Sequence, residues 1–283
     1  MLSLQKIIVS TCVIFLSGRC LAGDPYGLSA GARQSGMANV CVMNHDLWSS
    51  FHNQAGLSFN KSPAFGISYE NRFSIKELGT RSAAVSFPAG KVSLGALYSY
   101  FGYSDFRRQM TGIACGMPLS DNLTAGVMID YFSEKTYGEY NNNQMITCEA
   151  GVIITASENI MVGIHVFNPV PNSIRKSDMP TELRAGAGVT LSKSLFAGIE
   201  TGMCTGHKMT ISTGFEYEAG KNLMIRGGFS TENNSFSFGL GYRTSPAIID
   251  FAFSTHERLG ITSAVSLVFE LKSINRKKNK MER

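Results

Sequence analysis

The sequence predicts an all-β protein, a transmembrane antiparallel β-barrel that lies in a bacterial outer membrane. Three observations predict it. The chain opens with a secretion leader. About fourteen short strand signals then follow one another between Phe65 and Leu271, separated by turn residues. Beyond Ala22 no apolar run approaches the roughly 20 residues that a membrane-spanning helix needs. A sheet that spans lipid has to close on itself, because unpaired edge N–H and C=O groups find no solvent there.

The leader covers residues 1–22. Lys6 supplies its positive region, the run from Ile7 to Leu16 its apolar core, and small residues frame a cut after Ala22. Cys20 raises the question of a lipoprotein, but Arg19 stands where a small residue precedes a lipidated cysteine, so lipidation is not expected. Charged residues make up 17% of the chain, below the roughly 25% of soluble domains, and Gly is frequent at 29 residues. The formal net charge of +5 is concentrated at the ends, in Lys6 and Arg19 and in a basic tail over 272–283. The stretch between is slightly acidic, and nothing in it suggests nucleic acid. The four cysteines beyond the leader, Cys41, Cys115, Cys148 and Cys204, are scattered singly, which argues against a disulfide framework or a zinc site. Cys115 and Cys148 share parity with apolar neighbours and read as lipid-facing.

The strands show themselves by alternation. Phe236, Phe238, Leu240 and Tyr242 alternate with Ser235, Ser237, Gly239 and Gly241. Leu183, Ala185, Ala187 and Val189 alternate with Arg184, Gly186, Gly188 and Thr190, and Val92, Leu94, Ala96, Tyr98 and Tyr100 form another apolar face. Ile261, Val265, Leu267 and Phe269 do the same near the C-terminus. One face is apolar and the other small or polar, as lipid outside and lumen inside require. A soluble secreted sandwich used for adhesion also alternates, but it would carry more Lys, Glu and Thr on its outer face.

The turns form a weak repeat. Ser120-Asp121-Asn122, Ser157-Glu158-Asn159, Ser192-Lys193-Ser194 and Gly220-Lys221-Asn222 each lead into an apolar strand start. They alternate with longer polar stretches, 133–143 and 168–181 among them, which read as outer loops. Short turns then mark the periplasmic end, where both termini lie. Twelve strands is the alternative to fourteen.

Residues 23–63 do not read as membrane strands; the barrel is expected over 64–271. This N-terminal stretch contains Gly31-Ala32-Arg33-Gln34-Ser35-Gly36-Met37, then Asp46-Leu47-Trp48 and Asn53-Gln54-Ala55-Gly56-Leu57. Here the chain resembles the superfamily of FadL-type outer-membrane transporters and the PorV/PorQ-type proteins of Bacteroidota. Gly31, Ala32, Arg33, Gly36, Met37, Asp46, Asn53, Ala55, Gly56 and Leu57 match its pattern, while Gln54 replaces the usual Pro and puts the rigidity of that turn in doubt. The resemblance implies that residues 23–63 form a hatch inside the lumen. Trp48 and Phe51 would fill space, and Arg33 and Asp46 would pair with lumen charges such as Glu200, Glu216 or Arg226, with Arg184 a further charge facing the lumen.

No catalytic constellation emerges. Gly27-Leu28-Ser29-Ala30-Gly31 has the spacing of a nucleophile elbow but lacks the strand and helix that such a motif needs. The five histidines show no metal-ligand spacing, and Ser254 and His256, placed in an outer loop, have no acidic partner in view. The chain is read as non-enzymatic, without cofactor or metal.

Two functions follow from the resemblance. In the PorV/PorQ-like one, a plugged barrel in contact with outer-membrane lipid docks a secretion translocon or its cargo. In the FadL-like one, the barrel takes up a hydrophobic small-molecule ligand. The hatch sequence, the compact size, short outer loops that are polar or mixed, and the absence of evident apolar extracellular helices favour the first.

Overall fold

The computed structural model describes residues 30–136, 143–170 and 179–271. The leader, the basic tail, most of the elbow-like motif and parts of two predicted outer loops lie outside them. The strands are β1 (Ala64–Asn71), β2 (Gly79–Ala89), β3 (Val92–Gly102), β4 (Phe106–Ser120), β5 (Leu123–Thr136), β6 (Asn143–Ser157) and β7 (Ile160–Phe167). They continue as β8 (Glu182–Ser192), β9 (Leu195–Cys204), β10 (Thr210–Glu218), β11 (Leu223–Ser230), β12 (Ser235–Thr244), β13 (Ala247–His256) and β14 (Gly260–Glu270). Each pairs antiparallel with its neighbours in sequence, and β1 closes the barrel on β14 from Ala64↔Glu270 to Asn71↔Ser263. Fourteen strands, not twelve, make the wall. Among the described residues no helix is long and apolar enough to cross a membrane; the strands cross it.

Alternation sets the two faces. On β12, Phe236, Phe238, Leu240 and Tyr242 are exposed, whereas Gly239 and Gly241 are buried. Ile113 is 70% and Ile129 65% exposed on the protein alone, an outward face that only lipid can cover. Closure satisfies every strand edge, so the apolar belt has no polar seam. The chain is a bacterial outer-membrane β-barrel. Cys148 and Cys115 lie on the lipid side, as expected, and all four described cysteines are free.

The ends differ. Two-residue turns at 121–122, 158–159, 193–194 and 245–246 stand at the end where β1 starts and β14 stops. Longer connections, such as 72–78 with its two 3₁₀ turns, stand at the other. The short-turn end is periplasmic by this asymmetry.

Two loop expectations are corrected. β5 continues to Thr136 and β6 starts at Asn143, so most of the stretch 133–143 is strand or lies outside the described residues. Glu134 faces inward and pairs with Arg108 of β4 at 2.6 Å. Ser254 and His256 belong to β13, not to an outer loop. In both places the strands run on to the outer interface, where polar residues suit both faces of the wall and local polarity alone does not separate strand from loop.

Candidate functional site

The chain from Ala30 to about Asn60 lies inside the barrel. Its small helices α1 (Ala32–Ser35) and α2 (Ser49–His52) and the 3₁₀ turn Gln54–Phe59 are almost wholly buried, on the face of the sheet opposite the lipid. The wall admits it closely because glycines line the contact. A Cβ on Gly126 would stand 2.3 Å from Ala55 N, one on Gly163 2.3 Å from Val42 O, and one on Gly214 2.5 Å from Met37 O. Gly36 meets Gly239 backbone to backbone. Gly31, at φ 95°, takes a left-handed turn beneath the Trp48 ring that a side chain could not share.

The expected residues come together here. Ala32 N–H donates to Ser266 Oγ at 3.1 Å. Arg33 makes a two-pronged contact with Glu216, at 2.9 and 2.8 Å, and donates through Nη1 to Asp46 Oδ2 at 2.8 Å. Glu216 also accepts from Arg226 at 2.6 Å, and Arg226 donates onward to Asp250 at 2.7 Å. Asp46 therefore pairs with Arg33 and Gln34 of its own segment, and not with the wall. Glu200, held by Arg184, accepts the backbone N–H groups of Cys41 and Val42 at 2.7 and 2.9 Å. Charge-assisted bonds of this kind are the strong ones. Trp48, Met37 and Leu57 fill space with at most 2% exposure, and Gly56 packs where a Cβ would meet Asn44 O.

Asn53 organises the second half. Its Oδ1 accepts from Ala55 N–H, and its Nδ2 donates to Val42 O at 2.7 Å and reaches the β6 and β7 carbonyls of Val152 and Ile164. Gln54, where the related pattern has Pro, donates to Glu149 Oε2 at 2.6 Å, and His165 shares that oxygen at 2.9 Å. A side-chain bond to the wall thus replaces ring rigidity. His52 gives its Nε2 to Ala30 O at 2.8 Å; burial, with help from Arg184, lowers its pKa to about 4. Burial raises the Cys41 thiol to about 12, although Arg184 opposes it.

Charged groups line the lumen on both sides: Arg184, Glu200, Glu216, Arg226 and Asp250 on β8–β13, and Arg108, Asp130, Glu134, Glu149 and His165 on β4–β7. Among the second set lies an apolar cluster, in which Leu97, Met110, Met128, Phe132 and Phe167 join Phe51 and Leu57 of the segment, with Met145 packed against it. Phe132 and Phe167 meet edge to face at 5.9 Å below the outer mouth. At the mouth a cavity of about 270 Å³ is lined by Phe51 and Phe167 together with polar and charged groups, among them Glu70, Arg184, Glu200 and Ser237. Sequence reasoning missed Asp250, whose inward parity is set by Ile249 and Phe251, and the inward Met and Phe residues, which interrupt simple alternation.

No protein-family model and no curated protein matches the sequence. Solved structures do match in shape. The toluene transporter TbuX of Ralstonia pickettii superposes with a TM-score of 0.65 at 13% identity, over 86% of this chain and 97% of that one. The toluene transporter TodX of Pseudomonas putida gives 0.67 at 11%, over 86% and 99%, and a FadL homologue of Pseudomonas aeruginosa 0.62 at 11%, over 90% and 98%. The fold is of the FadL type. At these identities the likeness carries the FadL-type architecture over nearly the whole described chain, while function has to be argued from the site.

Proposed function

We propose that this barrel is a conduit for small apolar molecules across the outer membrane, with the luminal segment as its closure. The observation that supports it is the apolar cluster inside the barrel. Ion pairs and hydrogen bonds fasten the segment, and beside them a column of Met, Leu and Phe side chains packs against Phe51 and Leu57. Methionine side chains repack at little cost, so an apolar solute can pass them while the charged groups keep the segment tethered. Toluene transporters of the same fold support the substrate class.

The test is uptake of labelled toluene and of a long-chain fatty acid by a Gram-negative host lacking its own channels of this type. Expression should raise uptake, and Phe132→Asp, which places a charge in the column, should cut it roughly tenfold while the barrel still assembles. Uptake no better than an empty vector would sink the reading. A docking role, with a secretion translocon or its cargo as partner, is the second reading. It draws on the hatch motif and on a segment ion-paired to the wall, since a barrel that never opens works by its surface. Its signature is a stoichiometric partner cross-linked in native outer membranes, without uptake.

A further inference from the structure

The outward face of the described strands is almost free of charge. Reading its parity around the wall, the Asp, Glu, Lys and Arg residues that point to lipid are Arg81 on β2, Arg107 on β4 and Lys135 on β5. All three are cations, all are exposed, and all stand at the outer ends of neighbouring strands. None has an acidic partner among the described residues. Arg107 and Lys135 are directly opposed across the β4–β5 ladder, an arrangement of like charges that destabilises a sheet unless an anion sits between them. Arg81 pairs across β3 with Tyr100, two positions further in, roughly 12 Å from Arg107 by strand spacing.

Arg81 is also held in place. Its guanidinium lies 5.9 Å from the Tyr69 ring centre and 5.8 Å from that of Tyr100, which fixes the group and leaves its N–H edge open. One row toward the membrane centre, the small side chain of Ala83 falls between Ile67 and Tyr98. The result is an apolar groove of about 890 Å³ in the lipid-facing wall, bordered by Ile249, Val265 and Leu267 and capped by Arg81. The surface therefore offers an apolar slot, an oriented guanidinium above it, and a pair of cations beside that, at the level of the outer leaflet headgroups.

We propose that this face binds a lipid of the outer leaflet that carries more than one phosphate. Acyl chain enters the Ala83 groove, one phosphate meets Arg81, and further anionic groups bridge Arg107 and Lys135. Arg and Lys bind phosphate through charge-assisted bonds, and a girdle position at the interface carries little cost for a cation. The inference does not depend on what passes through the lumen.

Native mass spectrometry of the mature barrel in a neutral detergent tests it, with lipid A and phosphatidylethanolamine as separate probes. Wild type should retain lipid A roughly tenfold better than phosphatidylethanolamine, and added salt should weaken that retention. Arg81→Gln/Arg107→Gln/Lys135→Gln and, independently, Ala83→Trp should each lower it by about tenfold, whereas Lys193→Gln in a periplasmic turn should not. Heat-dependent gel mobility checks that each variant is folded. Equal retention of the two lipids by wild type overturns the proposal without any variant, as does unchanged retention in the folded triple variant.

Discussion

At the scale of single residues, tolerance is set by how near the segment comes to the wall. Gly126 faces Gln54 and Ala55 with no room for a methyl group. Gly126→Val should displace that turn at a cost of about 1–3 kcal/mol, leave the barrel intact, and show as faster amide exchange at Ala55–Leu57. Arg226 is 1% exposed between Glu216 and Asp250. Arg226→Met strands the Asp250 carboxylate and leaves Glu216 to Arg33 alone, and urea unfolding in detergent should register a loss of about 3–5 kcal/mol. His52 adds a pH dependence. Its folded pKa of about 4 lies below the ordinary 6.5, so the released state takes up the proton first as pH falls. The segment's stability is complete above pH 6.5 and is lost between 6.5 and 4, by roughly 1.4 kcal/mol per unit. Exchange protection over Ser49–His52 should fall across that window and stay flat in His52→Gln. The sequence places Arg33 and Glu216 among several lumen charges without saying which of them pair, because strand register decides that. Asp250 escapes sequence reading altogether for the same reason.

Whole elements obey a simpler rule, in which parity decides the medium that a side chain meets. Ile113 and Ile129 sit opposite each other on the lipid side of β4 and β5. Ile129→Arg should cost about 2–4 kcal/mol if it lies near the midplane, measured by folding into bilayers of defined thickness. The thiols give a second check: in detergent-extracted native barrel, Cys148 should react with a lipid-soluble maleimide while Cys41, buried and with its pKa raised to about 12, stays unmodified until unfolding. Strand ends were the weak point of sequence reading. Alternation marks a strand only where its two faces see different media, and from the headgroup level outward Ser133–Thr136 and Ser254–His256 have polar surroundings on both.

For the molecule as a whole, strand number, closure and membrane were legible because each hairpin repeats the same signal and the errors average out. The interior was legible only in part. Gly31, Arg33, Asp46 and Asn53 could be singled out by their resemblance to a known pattern, but no local signal says that Met110, Phe132 and Phe167, on three different strands, share one side of the lumen. That grouping arises from closure, which no window of sequence contains. Closure also imposes an order in time. Arg33 is secured by Glu216, 183 positions later in the chain, and Cys41 by Glu200, 159 positions later. Residues 30–60 therefore wait for β9 and β10 before they find their anchors, while the hairpins between them form locally. During assembly this stretch, synthesised before the wall, is the last to be fastened, and until then it is the part most open to periplasmic chaperones and proteases.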